Sequence, residues 1–314
     1  MKYHWLLLAW FAALLGLSGC GRSRELGPPK AVPVREDGAL ELRLMSFNIR
    51  YETPEDWASR SWHQRVSGAV RVIRRERPDV FGVQEALHGQ AADLWASLPD
   101  YEFLGVGRDD GLRAGEYAGI FYRRDRFRAT LDEQGTFWLS AQPEVPGSKT
   151  WGNEITRVAA WVRLVDLASG RGFYVFNTHW DHQNQSSREQ SAQLIARRIT
   201  ERKYQNEPVV LLGDLNSVEA NPGYLYLTGR EVMLAGTRQK WGDELTDVFQ
   251  ALYPSDRNRR TLHFWRGNRD GLLKVDHILV SRGAKVEAAE IISEDEPMVS
   301  DHFPVTARVI FVKE

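Results

Sequence analysis

A disulfide framework is excluded at once, because the 314 residues hold a single cysteine, Cys20. Charge of one sign is also missing: 41 Lys and Arg meet 42 Asp and Glu, for a formal charge of −1. Without a strong positive field to release counterions from phosphates, general nucleic-acid binding loses its simplest basis, although a small basic groove remains compatible. The chain has no Gly-x-Ser-x-Gly elbow and no His-Glu-x-x-His helix, so neither a serine esterase nor a zinc protease finds support. Internal repeats and low-complexity tracts are absent too. What remains is ordinary globular composition, with 42% hydrophobic and 26% charged residues. Eleven Trp, 10 Tyr and 13 Phe give enough apolar surface for the deep core of one large domain or two small ones.

The one long apolar run lies at the start. Lys2 precedes residues 5–17, apolar apart from Gly16, and Leu17-Ser18-Gly19-Cys20 follows directly. The run is too short to span roughly 30 Å of hydrocarbon, and its three parts match a secretory signal peptide. The Leu-Ser-Gly-Cys ending resembles a bacterial lipoprotein processing site. That resemblance implies cleavage after residue 19, lipidation of Cys20 and a membrane-anchored, exported protein. Gly21 rather than Asp after the cysteine favours, by analogy, an outer membrane facing the periplasm. Residues 20–38, with Pro28, Pro29 and Pro33, read as a tether, leaving 39–314 as the functional domain.

Beyond the tether, strands alternate with helices. Residues 40–49 read as a strand, and Trp62, Val66, Ala69, Val70 and Ile73 recur at helical spacing until Arg77-Pro78 stops the helix. Further strands are expected over 79–84, 118–122, 156–165, 173–178 and 208–212, with Ser169-Gly170 turning a hairpin. A helix over 187–204 and strands over 274–280, 284–292 and 303–312 complete the pattern. Two sheets packed face to face with helices outside would absorb these strands in one domain.

Short polar groups sit where the apolar strands end: Asn48, Glu85, His179, Asp214 with Asn216, Asp276-His277 and Asp301-His302. Each alone is an ordinary cap or turn residue. Six such positions in one chain are different, because ends of strands in a shared sheet converge on one rim and can build one site. His277 follows Asp276 on a strand, so it should point the other way and serve the structure.

Ser46-Phe47-Asn48-Ile49-Arg50, Gln84-Glu85, Asn177-Thr178-His179, Gly213-Asp214-Leu215-Asn216, Val275-Asp276-His277 and Ser300-Asp301-His302-Phe303-Pro304-Val305 occur in this order. The set resembles the endonuclease/exonuclease/phosphatase superfamily over residues 40 to 312. The resemblance implies a four-layer α/β/β/α sandwich of two packed mixed β-sheets and a divalent-metal-dependent phosphoester hydrolase. Carried over by position, Asn48 and Glu85 resemble the Mg²⁺-binding pair, with Asp301 at the same or an adjacent metal position. A hard oxygen site of this kind suits Mg²⁺ or Mn²⁺. Asp214 resembles the carboxylate that orients or deprotonates the attacking water, and Asn216 the amide that stabilises the phosphoryl oxygens. His302 resembles the essential histidine, held by Asp276. His179 resembles the second histidine of DNase I-like branches, a general acid partnered through a hydrogen bond by Glu116. Arg157 falls where that branch presents an arginine to phosphate.

The segment His179-Trp180-Asp181-His182 packs two histidines and an aspartate together, but without an available cysteine a transition-metal site is disfavoured. His182 and Asp181 are instead expected to line the substrate pocket or support His179, and Trp180 to offer an aromatic ring to the substrate. Nucleic acid, phospholipid and sugar phosphate all stay open as substrates, with no obligate protein partner and a monomer expected. The competing expectation is a catalytically silent envelope lipoprotein that binds a phosphorylated ligand.

Overall fold

A computed structural model describes residues 38–293 and 298–312. The leader, Cys20 and the tether expected above lie outside these residues. Fourteen strands and five α-helices follow one another among the described residues. They are β1 (Leu40–Asn48), α1 (Trp62–Glu76), β2 (Val80–Ala86), α2 (His88–Ser97), β3 (Tyr101–Leu104), β4 (Tyr117–Arg123) and β5 (Phe127–Trp138). The second half runs β6 (Val158–Asp166), β7 (Gly172–His179), α3 (Gln185–Thr200), β8 (Val209–Asp214), α4 (Pro222–Leu227), β9 (Val232–Leu234), β10 (Thr237–Gln239), β11 (Leu245–Asp247), α5 (Val248–Leu252), β12 (Asp276–Ser281), β13 (Lys285–Ile291) and β14 (Val305–Phe311).

Twelve strands form two mixed six-stranded sheets, ordered β13-β14-β1-β2-β4-β3 and β11-β12-β8-β7-β6-β5. Between them lies an apolar layer drawn from both, including Leu42, Leu44, Val80, Ile120, Val162, Val175, Leu212 and Val280. Helices α1 and α2 bury Ala69, Val72, Ile73 and Leu94 against the outer face of the first sheet, and α3 and α4 bury Ile195, Ile199 and Leu227 against the second. This is the four-layer sandwich expected from the sequence, built on periodicities of 3.6 and 2 that each bury one side of an element.

Several expected boundaries hold. The β6–β7 hairpin turns at Ser169-Gly170, where Gly170 takes φ +71°. Helix α1 stops at Arg77 in a left-handed conformation, immediately before Pro78. Helix α3 ends at Thr200, short of the expected 204. Strand β5 escaped the sequence reading because it is an edge strand whose register shifts between Ala129 and Gln134 and whose middle faces solvent, so no clean alternation survives.

Topology fixes where the polar strand ends go. Strands β1 and β2 run parallel, as do β7 and β8, while β4, β6, β12 and β14 run antiparallel to their neighbours. The C-terminal ends of the first four and the N-terminal ends of the last four therefore share one edge of the sandwich. There the interior turns polar. Asn177 of the second sheet donates to the carbonyls of Val83 (2.9 Å) and Gly119 (2.8 Å) in the first and accepts from Gln84 (2.7 Å). These bonds join the sheets directly beneath the converging side chains.

Candidate active site

At that edge Asn48 ends β1, Glu85 sits in a bulge of β2, His179 ends β7, Asp214 ends β8 and Asp276 begins β12. Asp301 and His302 lie in the approach to β14, while Glu116 and Arg157 immediately precede β4 and β6. Two positions take a left-handed backbone: Asn216 (φ +44°), a residue that tolerates it, and Glu85 (φ +63°), for which it is unfavourable. The bulge aims Glu85 at Asn48, whose Nδ2 donates to Glu85 Oε1 and to Asp214 Oδ2, both at 2.9 Å. Gly213 permits the approach of β8 to β7 here, since a Cβ would lie 2.4 Å from the Thr178 carbonyl oxygen.

Asp214 is buried at the centre. Its Oδ1 accepts from the Asn216 amide at 2.9 Å, and its Oδ2 lies 3.6 Å from His179 Nε2 and 3.8 Å from His302 Nδ1. Burial and the neighbouring Asp276 carboxylate raise the Asp214 carboxyl above the usual range, against the pull of both histidines. The two histidines are held in opposite states. Burial opposes charge on His302, but Asp276 at 2.8 Å, supported by Asp214 and Asp301, outweighs it and raises the imidazole well above its ordinary value. His179 is pushed down to about 3 by burial and by Arg157, so its ring is neutral near pH 7. Glu85 resists burial and stays below the usual carboxyl range through His179, His302 and the Asn48 hydrogen bond.

The expected Glu116–His179 hydrogen bond does not form. The two groups stand 3.7 Å apart, and both Glu116 oxygens are taken by Arg108 at 2.7 and 2.8 Å. His179 Nδ1 is left buried without a partner. Arg157 is also buried, and only its Nη2 is engaged, at 3.0 Å from His182 Nδ1; Nε and Nη1 have no hydrogen-bond partner among the described residues. A second correction concerns Trp180, which is fully buried in the core under α3 and cannot line a pocket. Its backbone ties the site together instead, donating to the Asp214 carbonyl (2.9 Å) and accepting from Asn216 Nδ2 (3.0 Å). Asp181 caps the turn into α3 through the amides of Gln183 and Asn184. His277 is structural as expected, bonded to the Ser217 carbonyl (2.9 Å) beside buried Lys274 and Asp247.

Two overlapping groups of donor atoms have the spacing to hold a cation. One comprises Glu85, His179 and Asp214, the other Asp214, Asp276 and His302, with donor atoms in each within 4.8 Å of one another. Asp301 lies outside both groups, its Oδ2 4.0 Å from the Arg50 guanidinium. For Asn48 to offer an oxygen to an ion, its amide must turn over, because Nδ2 faces the carboxylates and Oδ1 accepts from the Arg50 amide. Sequence reasoning assigned no role to Arg50, Arg65 or Arg108: Arg50 closes the motif at the end of β1, whereas Arg65 lies in α1 and Arg108 in a loop, without a strand-end signature. Arg108 is legible only once Glu116 is placed eight residues on.

Residues 45–302 match the model of the endonuclease/exonuclease/phosphatase family. An endonuclease/exonuclease/phosphatase structure from Bacteroides vulgatus is 34% identical, covering 87% of this chain and all of that one with a TM-score of 0.76. A mannosyl-6-phosphatase from Bacteroides thetaiotaomicron is 31% identical over 86% of this chain and all of its own, with a TM-score of 0.75. The probable RNA exonuclease NGL3 of Saccharomyces cerevisiae is 24% identical over 224 residues; the alignment takes in 66% of this chain and 44% of that relative's length.

Proposed function

We propose that this chain, which belongs to the endonuclease/exonuclease/phosphatase family, is a divalent-metal-dependent phosphoester hydrolase that directs water in line at phosphorus. One observation carries the reading: a cluster of carboxylates faces a buried guanidinium with two unpartnered donors in the same strand-end site. A ligand that is itself an anion, bound together with a cation, satisfies both halves. A buried arginine left with neither acid nor carbonyl on two of its nitrogens otherwise costs stability for no return.

A hard cation such as Mg²⁺ or Mn²⁺, held by Glu85 with Asn48 and Asp301 beside it, would neutralise charge on the phosphoryl oxygens. The chain's own groups divide the remaining work. Asp214, raised by burial, takes a proton from the attacking water as the new P–O bond forms. His302, charged and fixed in orientation by Asp276, gives its proton to the leaving oxygen as the old P–O bond breaks. This differs from the general-acid role expected for His179. That ring is neutral, so in this reading it donates a hydrogen bond rather than a proton. Arg157 binds a non-bridging phosphoryl oxygen through Nε and Nη1, with its third nitrogen steadied by His182.

For the substrate we place a phosphorylated sugar first. The mannosyl-6-phosphatase is similar over its full length, and a net charge of −1 offers no general field for a polyanion. The purified protein is expected to hydrolyse a hexose 6-phosphate with Mg²⁺ or Mn²⁺ present, to lose that activity in EDTA, and to lose at least about 10³-fold as Asp214→Ala. Full activity in EDTA, or an Asp214→Ala variant as active as the parent on whichever phosphoester is cleaved, would overturn the mechanism. Turnover of RNA ahead of every sugar phosphate would overturn the substrate choice alone.

A further inference from the structure

Two site-bearing segments meet at the foot of α1. One is the end of β1, with Asn48 and Arg50; the other is the stretch 299–302, with Asp301 and His302. Ser300 Oγ donates to the Asn48 carbonyl at 2.7 Å and links them once. A second link is larger. Arg65, 2% exposed near the start of α1, places its guanidinium between the segments and bonds four backbone carbonyls. Nη1 donates to Ile49 (2.6 Å) and Val299 (2.9 Å), Nη2 to Arg50 (3.0 Å) and Nε to Arg60 (2.6 Å). The rings of Trp62 and Trp265 lie 5.3 and 5.6 Å from its central carbon.

This is an unusual tenant for a buried position. Among the described residues no carboxylate bonds it; burial lowers it to about 10, which still leaves it charged at neutral pH. An apolar side chain would fill the volume without the cost of burying a charge, so the arginine is explained by what its fork can do. A planar group with five donors fixes three chain segments at set angles, which neither an apolar residue nor a point charge can reproduce. The same helix is also pressed onto the second segment. A Cβ on Gly68 would lie 2.4 Å from Val299 Cγ1, so α1 meets this stretch closely enough to require glycine.

We propose that Arg65 is a positioning residue that sets the distance between the Asn48–Glu85 side of the site and the Asp301–His302 segment, touching neither substrate nor reacting atoms. Gly68 sustains the same spacing by admitting Val299. The assignment rests on the hydrolase reading above, but its test separates the two.

Arg65→Lys keeps the charge and loses the fork, because one nitrogen cannot reach all three segments. We expect kcat to fall about 30-fold with KM changed less than about threefold, since displacement of the order of 1 Å at a site costs up to about 10²-fold. Mn²⁺ affinity of the substrate-free protein, read by electron paramagnetic resonance, should fall about tenfold, in the range that loss of supporting contacts typically costs. Gly68→Ala should give the same signature, and Gly68→Ala/Val299→Ala should recover both quantities to within about threefold, because the second change removes the atom that the new methyl meets. If Arg65→Lys is too unstable to assay, the Gly68 pair decides the matter. A lowered melting temperature with kcat and Mn²⁺ affinity unchanged would make Arg65 a structural staple only and overturn the proposal. So would failure of Val299→Ala to restore a defective Gly68→Ala. Mn²⁺ affinity is measured without substrate, so a loss there supports the assignment even if Asp214→Ala proves active and the hydrolase reading falls.

Discussion

On the side of the site formed by the end of β1, the start of β12 and the stretch before β14, the protein supplies its own partners. His302 is held by Asp276, Ser300 by the Asn48 carbonyl and Arg65 by four carbonyls, with Asp276 Oδ1 the exception among them. Across the site, beside β4, β6 and β7, the supply stops short. Arg157 Nε and Nη1, Arg108 Nε and His179 Nδ1 are buried with no hydrogen-bond partner. Buried polar groups are paired in nearly all native structures, and the proposed function assigns this cluster of exceptions to substrate. In the proposed reading, one wall has its partners before substrate arrives and the other is completed by substrate. The difference predicts opposite consequences for mutation, large in turnover on the first wall and divided between affinity and ligand-free stability on the second.

The sharpest break on the finished wall is Asp276→Asn. The amide cannot hold a charged His302, and its NH₂ can present a donor to Nδ1 and impose the other tautomer. A loss of about 10³- to 10⁴-fold in kcat is expected, with KM nearly unchanged. An effect under tenfold would mean that this wall is not the reacting one. On the unfinished wall the test is Arg157→Met. Activity should fall about 10²-fold, mostly as a rise in KM, while the ligand-free protein melts higher because an unpaired buried charge has gone. Inorganic phosphate should stabilise the parent and leave the variant unmoved. A variant that melts lower without ligand would show that Arg157 is already satisfied and would erase the contrast between the walls.

Strand ends were legible on both walls. Asn48, Glu85, His179, Asp214 and Asp276 each follow or open an apolar strand, and a strand end is a local signal. The sheets were legible for the same reason, through periodicity in β1, β2, β7, β8 and β14. Contacts made across the chain were not. Arg65 contacts Val299 over 234 residues of separation, and nothing in Trp-His-Gln-Arg-Val predicts a charge buried among carbonyls. Glu116 was placed correctly at the site, yet its partner turned out to be Arg108, because a bidentate guanidinium outcompetes a single imidazole N–H for both oxygens. Trp180 was expected at the substrate pocket, but it follows His179 directly, and alternation from the end of β7 sends it inward instead.

Titration sharpens the comparison furthest, because the two walls hold their histidines on opposite sides of neutrality. His179 titrates at about 3 in the folded protein and near 6.5 unfolded, so between these values the unfolded chain binds more protons. Stability in EDTA should therefore fall as pH drops through that window, by roughly 2 kcal/mol at pH 5 relative to pH 8 from this residue alone. His302 has the opposite sign. Its folded value is raised, so its contribution is complete below the unfolded value and is lost as pH climbs through the folded one. Denaturant unfolding at pH 5 and pH 8 separates them. His179→Gln should flatten the acid limb and leave the alkaline limb alone, and His302→Gln should do the reverse at a lower overall stability. If both variants flattened the same limb, the walls would not differ in charge, and the division between a self-completed side and a ligand-completed side would rest on hydrogen bonding only.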